Sequence, residues 1–423
     1  MGLNDGAWEK LFDKYQILDA VNRDGRFQIS AAQIKEFREP RLMTKFDHRI
    51  NLPEIFAANG LAILPVTRGD YVISSFDAYR DFENPAGETR RIRIPAYMQS
   101  LAPQNLVSEA IALNCANACG ILTDFLADDP LVPTVSGRMS SGAFNFQIQT
   151  RAGRQTVAVN NSQIEIDAAY EGRDCLALFE AKRDLADDFL VRQLYYPFRV
   201  WNSRMTKAVR PVFLVFSNGV FHLYEYRFED PACYNSLRLV RQRNYTVATE
   251  IAAADVEDLL ATVATEPEPE ISFPQANSME RVINLAELLA ERDMTRQDIT
   301  AEYAFNERQT NYYADAGRYL GLMEKFRDGE NGVGFRLSPL GRSVMNLGYR
   351  ERQLAFLTQI LRHRAFREVL LMRLRSGEMP EVDAVVREMR RSGLYHVASE
   401  NTYVRRSSTI VSWVRWVMSL LED

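Results

Sequence analysis

The sequence predicts a mixed α/β protein with a mainly helical C-terminal region. Between about residues 103 and 228, segments with helical periodicity alternate with short β-branched and aromatic runs, an order typical of a mixed sheet flanked by helices. After a Glu- and Pro-rich stretch at 264–277, helical periodicity dominates. A chain of 423 residues exceeds the length that one hydrophobic core normally fills, so we expect several domains.

Composition changes indicate the domain boundaries. Residues 1–100 form an N-terminal α/β region and 101–263 a central α/β domain, while 264–277 is a semi-rigid linker because alternating Glu and Pro cannot continue a helix. Residues 278–350 contain a helix-turn-helix with a Gly-rich wing, and 351–423 a second helix-turn-helix-like module.

Charge and cysteine content exclude several classes of protein. The net charge of −5 argues against a generally basic nucleic-acid-binding surface, although residues 362–415 contain eleven Arg and only six acidic residues. Four scattered cysteines form neither a disulfide framework nor a zinc motif, so any metal should have oxygen ligands. With no apolar stretch long enough for a membrane span and no leader-like N-terminus, we expect a cytoplasmic protein.

Within residues 1–100, the segment "LAILPVTRGDYVIS" predicts two short strands. The preceding stretch "REPRLMTKFDHR" is basic and of mixed polarity. Its Arg41, Lys45, His48 and Arg49 either contact DNA or solvate a helix face.

The central domain is predicted as helix, three strands, helix and two strands. A long helix begins near Pro103 and carries Glu109, strands follow up to "CLALFEAK", and a helix runs through "DDFLVRQLYYPFRVW". Two further strands are joined by Ser-Asn-Gly, a strong hairpin signal. In the C-terminal region, Thr295 and Asn306 are expected to cap the two helices of the helix-turn-helix.

Three charged residues at strand ends are the strongest chemical signal. Since side chains alternate along a strand, Glu180 and Lys182 project from one face at the end of an otherwise apolar run. A turn connects this run to the preceding strand, so the hairpin can bring Asp167 beside both residues, with Glu165 as the alternative carboxylate. The competing interpretation is an ordinary surface hairpin with solvated charges.

Two carboxylates and a lysine in this arrangement predict metal-assisted hydrolysis of a phosphodiester. Adjacent carboxylates repel unless a cation lies between them, and an all-oxygen site suits Mg²⁺. A neighbouring lysine can orient or deprotonate the attacking water and offset charge on the phosphate.

The pattern of Asp167 followed by a strand ending in Glu180, Ala181 and Lys182 resembles the PD-(D/E)XK nuclease superfamily, with Ile166 in place of the signature proline. The resemblance implies that Asp167 and Glu180 are metal ligands, that Lys182 is catalytic, and that Glu109 and Gln193 assist, Glu109 as an additional metal ligand. The implied fold is a PD-(D/E)XK core with a C-terminal winged-helix region.

A narrower resemblance covers the N-terminal 260 residues and, more loosely, the tail. The segments "FREPRLMTKFDHRINLPEIFAANGLAILPVTRGDYVI", "VSGRMSSGAFNF" and "LFEAKRDLADDFLVRQLYYPFRVW" are similar to type II restriction endonucleases that carry a C-terminal winged helix. It implies sequence-specific, Mg²⁺-dependent cleavage of double-stranded DNA with 5′-phosphate ends, by a homodimer, alongside a cognate DNA methyltransferase.

Candidate DNA contacts are spread along the chain. A Gly-flanked loop at "SGRMSSGAF" would present Arg138, Ser140 and Ser141 to phosphate or bases, or is simply a flexible turn. The other candidate DNA contacts are outward-facing residues of the two C-terminal modules, provided that these modules bind DNA rather than protein. They are Arg308, Gln309, Asn311 and Tyr312 in the first module and Arg405, Arg406, Ser407, Thr409 and Arg415 in the second.

Three other functions remain open at this stage. One is a repair or structure-specific nuclease with the same chemistry, and another is a methylation-dependent restriction enzyme. The third is a non-catalytic winged-helix regulator, against which the presence of Asp167, Glu180 and Lys182 together argues.

Overall fold

The fold is that of a computed structural model, which describes residues 3–83, 89–95, 97–101, 106, 108–247, 250–329 and 332–421. The chain divides into two compact units. The first contains the described residues up to Leu101 together with Ser108–Phe216 and Val220–Thr246. The second contains Leu106, the turn Ser217–Gly219 and the described residues from Val247 onward.

The N-terminal part of the first unit has its own small core. A three-stranded antiparallel sheet in the order β1-β3-β2 packs with short helices around Trp8, Phe12 and Phe56, whose rings meet edge to face. The helices are α1 (Leu3–Tyr15), α2 (Ile17–Asp24), α3 (Ala31–Lys35), α4 (Pro40–Met43) and α5 (Glu54–Asn59). The strands are β1 (Phe27–Ser30), β2 (Ala62–Pro65) and β3 (Asp70–Ser74).

A mixed sheet of seven strands, flanked by helices, dominates the rest of the first unit. The strands that follow β3 are β4 (Tyr79–Asp81), β5 (Thr89–Arg91), β6 (Val132–Ser140), β7 (Ala143–Thr150), β8 (Gly153–Asn160), β9 (Gln163–Glu171), β10 (Cys175–Lys182), β11 (Asp188–Leu190), β12 (Ala208–Ser217), β13 (Val220–Phe228) and β14 (Leu237–Thr246). Seven of them pair in the order β5-β14-β13-β12-β10-β9-β6. The β10–β12 and β14–β5 pairs are parallel, whereas β6–β9, β9–β10 and β13–β14 are antiparallel.

The helices of this part are α6 (Glu109–Ala118), α7 (Ile121–Leu126) and α8 (Arg192–Asn202). The predicted long helix is therefore two helices, because Gly120 adopts a left-handed conformation (φ 74°) that interrupts it. In its expected beginning, residues 103–105 and 107 lie outside the described residues. Residues 188–190, predicted as helix, form β11, which pairs with β4.

The number and pairing of strands also differ from the prediction. Strand β6 was not expected, and the run at 155–170 is split by a turn at Asn161 (φ 55°) into β8 and β9. Strands β7 and β8 form a separate two-stranded sheet. The predicted Ser-Asn-Gly hairpin between β12 and β13 is confirmed, with the positive φ angles at Asn218 (48°) and Gly219 (77°) that a two-residue turn requires.

The second unit is mainly helical and contains one small sheet. Its helices are α9 (Ala253–Thr262), α10 (Met279–Glu291), α11 (Arg296–Glu302), α12 (Glu307–Tyr319), α13 (Pro339–Met345), α14 (Tyr349–Leu361), α15 (Arg364–Ser376), α16 (Val382–Arg391) and α17 (Glu400–Ser419). Its strands β15 (Met294–Thr295), β16 (Met323–Asp328) and β17 (Gly332–Leu337) pair in the order β15-β17-β16. The predicted caps are confirmed, since Thr295 and Asn306 each accept a backbone N–H in a capping box. The predicted wing coincides with β16 and β17, and its residues 330 and 331 lie outside the described residues.

The segment at 264–277, expected as a linker, has no helix or strand and lies within the second unit. Phe273 and Ala276 are buried in the core of that unit, and the Tyr319 hydroxyl donates a hydrogen bond to Glu268. Alternating Glu and Pro keep the segment extended, yet its apolar residues hold it against the helices. None of the described helices is long and apolar enough to cross a lipid bilayer.

Candidate active site

Asp167, Glu180 and Lys182 come together at one end of the β9–β10 hairpin. The antiparallel register pairs Ala168 of β9 with Phe179 of β10. Asp167, the residue before Ala168, therefore lies beside the last residues of β10. The backbone N–H of Ala181 donates to Asp167 Oδ2 at 2.7 Å. This bond holds the Asp167 carboxylate at Ala181, the residue between Glu180 and Lys182 along the strand.

Glu180 is the centre of the hydrogen-bonding network. Its side chain is buried, and its Oε1 accepts hydrogen bonds from Lys182 Nζ at 2.6 Å and from Gln193 Nε2 at 2.8 Å. Gln193 lies in the first turn of α8, which packs against β9 and β10. The other amide atom of Gln193, Oε1, is buried without a hydrogen-bond partner among the described residues. The helix that follows the hairpin therefore contributes directly to the site.

The carboxyl groups of the site are held in an environment that disfavours their charge. Burial raises the pKa of Glu180 to about 8, with Lys182 opposing and Asp167 reinforcing the effect. Burial also raises the pKa of Asp167, although Lys182 and the Ala181 N–H favour the ionised form. A buried glutamate and a half-buried aspartate with raised pKa values next to a lysine are typical of a functional site.

Lys182 is surrounded by negative charge. Its side chain is 17% exposed, and burial by itself lowers the pKa of the ammonium group. The neighbouring carboxylates outweigh burial and raise the pKa of Lys182 well above its ordinary value, so the side chain is protonated. These carboxylates are Glu180, Asp47, Glu109 and Asp167.

Glu109 reaches the same site from helix α6. It is the first residue of that helix, which Ser108 caps by accepting a hydrogen bond from the Ile111 N–H. Burial raises the pKa of Glu109, while Lys182 lowers it and Asp167 raises it further. Glu109 is thus within electrostatic range of the hairpin residues, as the additional acidic residue of the site should be.

The alternative carboxylate Glu165 is in a different position. Its side chain is 54% exposed and accepts a hydrogen bond from Arg138 Nε at 3.2 Å. Asp167 is less exposed than Glu165 and accepts a hydrogen bond from the backbone of β10. Asp167 rather than Glu165 is therefore the carboxylate that accompanies Glu180 and Lys182.

The predicted Gly-flanked phosphate loop at 136–144 is wrong. Most of this segment is strand, since β6 extends to Ser140 and β7 begins at Ala143. Arg138 lies within β6 and pairs with Glu165, Ser140 Oγ donates to Asn161 Oδ1, and the buried Ser141 donates to the Gly142 carbonyl. Sequence alone did not reveal β6 because Gly137, with a positive φ of 94°, lies within the strand at an irregularity in its pairing with β9.

Of the other predicted DNA contacts in the first unit, Arg41 and Lys45 are both exposed. Lys45 Nζ lies 3.8 Å from Asp47 Oδ2, and the charge of Lys45 also acts on Glu109. Lys45 therefore lies near Asp47 and within electrostatic range of Glu109. Arg49 instead forms ion pairs with Asp81 and Asp188, which ties it to the fold.

Sequence reasoning missed three aspartates near Asp167, Glu180 and Lys182, namely Asp47, Asp184 and Asp188. It considered His48 only as a DNA contact or as a solvated residue of a helix face. Asp47 acts electrostatically on Lys182 and Asp184 on Glu109, and the buried His48 bridges two carboxylates. His48 Nε2 lies 3.4 Å from Asp184 Oδ2, and its Nδ1 lies 2.5 Å from the carbonyl oxygen of Asp188. Burial lowers the pKa of His48, but hydrogen bonds to both aspartates raise it to about 10. The sequence contained one signal for these residues. Asp47 and His48 are adjacent within "REPRLMTKFDHR", a segment that was interpreted as a basic surface.

Among the described residues, no three or more His, Cys, Asp or Glu side chains are grouped as metal ligands. Asp167 and Glu180 lie on adjacent strands, and the charge of Asp167 acts on Glu180. A hard cation such as Mg²⁺ is commonly held by one or two carboxylates and completes its shell with water and substrate oxygens. The raised pKa values of both carboxyl groups and the unpartnered Gln193 Oε1 fit a site that a cation completes.

In the second unit, the candidate DNA-contact residues differ in accessibility. Arg308 and Arg405 are exposed and Asn311 is half-buried, whereas Gln309 is engaged in the capping box with Asn306. The outward orientation predicted for Arg406, Ser407 and Thr409 is wrong, because all three are buried. The buried face of α17 includes Arg406, and its apolar residues are Ile410, Trp413, Val414, Trp416 and Val417. Val404, near the start of the same helix, is 46% exposed.

Three family comparisons match consecutive parts of the chain. Residues 5–73 are similar to the domain of unknown function DUF6996, residues 74–246 to DUF6997, and residues 281–422 to DUF7226. The first match covers the small N-terminal core, and the second contains all of the hairpin residues of the site. No curated protein and no solved structure matches the chain.

Proposed function

We propose that this protein is a Mg²⁺-dependent endonuclease that hydrolyses phosphodiester bonds of double-stranded DNA, in the manner of a type II restriction enzyme of the PD-(D/E)XK superfamily. The observation that carries the proposal is the convergence of Asp167, Glu180 and Lys182 at the end of the β9–β10 hairpin. The same residues carry the resemblance to that superfamily, so local geometry and sequence pattern agree.

The surrounding elements support the same proposal. The hairpin belongs to a mixed sheet flanked by helices, Glu109 approaches from the helix before it, and Gln193 from the helix after it. These are the positions at which the superfamily resemblance implies assisting residues. In the second unit, a helix pair followed by the β16–β17 hairpin is compatible with a winged helix.

The proposed cofactor is Mg²⁺, held by Asp167 and Glu180, with Glu109 as an additional acidic residue. When bound, Mg²⁺ polarises the phosphoryl group and lowers the pKa of a coordinated water. The chain's own contribution is to hold two carboxylates that are destabilised by burial, which favours a cation between them. Gln193 orients Glu180 by donating to its Oε1.

Lys182 is best suited to a cationic role. Its raised pKa keeps the ammonium group protonated, so it stabilises negative charge that develops on the phosphoryl oxygens and orients the attacking water by hydrogen bonding. Deprotonation of water by neutral Lys182, the other role considered for this residue, is disfavoured by the same carboxylates.

In the proposed reaction, a water oxygen forms a bond to phosphorus and the bond between phosphorus and the 3′ oxygen breaks. The 3′ oxygen gains a proton and the water loses one, which leaves a 3′-hydroxyl and a 5′-phosphate. A homodimer would match the two strands of a palindromic site by two-fold symmetry, and a cognate DNA methyltransferase would protect the host's own sites. Both partners are part of the proposal.

The test is cleavage of unmethylated and methylated plasmid DNA by the full chain, with Mg²⁺ and with EDTA. We expect discrete fragments with 5′-phosphate ends in Mg²⁺, and none in EDTA or with Lys182→Ala. Lys207→Ala is the matched control, since Lys207 also pairs with a glutamate, Glu171, which lies near the opposite end of the hairpin.

Each alternative function predicts a different result. Cleavage of methylated plasmid alone would identify a modification-dependent enzyme, and cleavage only at branched or damaged DNA a repair nuclease. Duplex binding without any Mg²⁺-dependent cleavage would overturn the nuclease proposal in favour of a DNA-binding regulator.

A further inference from the structure

The segment at 264–277 brings one carboxylate into the interior of the second unit. Its sequence "EPEPE" contains Glu266, Glu268 and Glu270, of which the first and the last are exposed. The side chain of Glu268 is only 6% exposed. The backbone N–H of Glu266 donates to the carbonyl oxygen of Arg362 at 2.8 Å, and the Arg362 guanidinium pairs with the Glu266 carboxylate at 3.2 Å. These contacts place Glu268 beside the start of helix α15.

Glu268 lies next to a phenol and an imidazole. The hydroxyl of Tyr319, the last residue of α12, donates a hydrogen bond to Glu268 Oε2. His363, the N-cap residue of α15, stacks on the Tyr319 ring with 3.9 Å between the ring centres. His363 Nδ1 lies 3.6 Å from Glu268 Oε2. Three separate parts of the second unit therefore bring a carboxylate, a phenol and an imidazole together in a buried position.

Two buried polar atoms of this group have no hydrogen-bond partner in the part of the chain that the structure describes. They are Glu268 Oε1 and His363 Nδ1. Burial of a polar atom without a partner costs free energy, because the atom gives up its hydrogen bonds to water. A ligand that binds this carboxylate and this nitrogen would remove the cost.

The separation of 3.6 Å between Nδ1 and Oε2 indicates the class of ligand. A direct hydrogen bond from a protonated imidazole would span about 2.7–3.2 Å. Hydrogen bonds of about 2.8 Å to one bridging water would hold its two partners roughly 4.5 Å apart at a tetrahedral angle. Nitrogen and oxygen ligands lie about 2.0–2.2 Å from Zn²⁺, which holds two of them roughly 3.4 Å apart at the same angle. The observed separation is closest to that of two ligands of one metal ion.

We propose that Glu268 and His363 bind a divalent transition-metal ion, represented by Zn²⁺, in the second unit. An imidazole nitrogen together with a carboxylate suits Zn²⁺ and related ions, whereas Mg²⁺ prefers oxygen ligands. With one imidazole and one carboxylate from the chain, water completes the coordination. Tyr319 orients the carboxylate through its hydrogen bond to Oε2, the usual role of a residue that contacts a metal ligand.

The ion would fasten the segment at 264–277 to the helices of the second unit. Glu268 belongs to a stretch without helix or strand, whereas His363 lies at the junction of α14 and α15. Because one ligand comes from each, binding of the ion is coupled to the packing of the segment against this junction. Zn²⁺ should therefore stabilise the folded protein.

The experiment measures Zn²⁺ binding by the full chain that carries Asp167→Asn and Glu180→Gln, called the background protein. These two changes remove the carboxylates proposed to bind Mg²⁺, so that they cannot contribute to the count. Equilibrium dialysis against Zn²⁺ followed by elemental analysis gives the number of bound ions per chain. Thermal unfolding with and without Zn²⁺ gives the stabilisation. No DNA is present, so the result does not depend on the proposed nuclease function.

Three variants are made in the background protein. Glu268→Gln removes the carboxylate and keeps an oxygen that can accept the Tyr319 hydroxyl, and His363→Gln removes the imidazole. His396→Gln is the matched control, because His396 is an exposed histidine of the same unit. Circular dichroism verifies that each variant is folded.

We expect Zn²⁺ to bind the background protein and to raise its melting temperature, and His396→Gln to behave in the same way. Glu268→Gln and His363→Gln should each bind one ion fewer and lose the rise in melting temperature. Absence of bound Zn²⁺ in the background protein, or equal Zn²⁺ content in the two folded variants and the control, would overturn the site and leave a buried ion pair. If one variant does not fold, the other variant and the Zn²⁺ content of the background protein still decide the question.

Discussion

Lys182 Nζ lies 2.6 Å from Glu180 Oε1, and both side chains project from the same face of strand β10. The pair is mostly withdrawn from water, with side chains 17% and 10% exposed. Removing an ion pair from water costs more free energy than leaving it at the surface. This pair lies at the end of a strand whose preceding residues are buried and apolar. The proposed catalytic role would account for the charge at the end of this strand.

Asp167→Asn should leave the metal-free protein as stable as the wild type, or more stable by about 1 kcal/mol. The raised pKa of Asp167 means that burial and neighbouring negative charges oppose its ionisation. The asparagine oxygen can still accept the Ala181 N–H. Urea unfolding without divalent cations measures the effect, and a loss of more than about 1 kcal/mol would contradict it.

Mg²⁺ should raise the melting temperature of the wild type and not that of the Asp167→Asn, Glu180→Gln double variant. A ligand that binds only the folded state stabilises it by about 2.7 kcal/mol at a hundredfold excess over its Kd. Differential scanning fluorimetry against Mg²⁺ concentration measures the shift without any DNA. Equal shifts in both proteins would place the cation elsewhere.

Gln193→Ala should weaken Mg²⁺ affinity by roughly tenfold to a hundredfold, the usual effect of removing a residue that orients a metal ligand. The reason is the 2.8 Å hydrogen bond from Gln193 to Glu180. Cleavage rate against Mg²⁺ concentration reveals the loss, and excess Mg²⁺ should restore the rate. Gln163→Ala, an exposed change at the start of β9, is the control and should not alter the curve.

His48 should make the protein less stable as the pH rises from about 6.5 towards 10. Its pKa in the folded protein is raised from 6.5 to about 10, so its stabilising contribution is complete below the lower value and is lost through the upper one. Over this pH interval, the free energy of unfolding of His48→Asn should fall less than that of the wild type, and the two decreases should differ by at least about 1 kcal/mol. Parallel pH curves for the two proteins would refute the role of His48, whatever the absolute stability of the variant.

Much of the site followed from local sequence pattern. Alternation along β9 and β10 places Asp167, Glu180 and Lys182 correctly because the period of a strand is fixed and the connecting turn is short. The caps Thr295 and Asn306 followed for the same reason, since a capping box involves residues three apart.

Features that depend on distant contacts could not be predicted. His48 joins the site through aspartates about 140 positions away, and β6 exists because it pairs with β9. The burial of Arg406 depends on which stripe of α17 faces the core, and a helix with apolar residues on several faces does not settle that choice.

Cleavage of duplex plasmid DNA by Asp167→Asn, measured beside the wild type in Mg²⁺, tests the central claim most directly. Because this substitution should preserve folding, a loss of activity cannot be attributed to an unfolded protein. The account predicts discrete Mg²⁺-dependent fragments with 5′-phosphate ends from the wild type and uncut DNA with the variant. Wild-type rates of cleavage by a folded Asp167→Asn protein would contradict it.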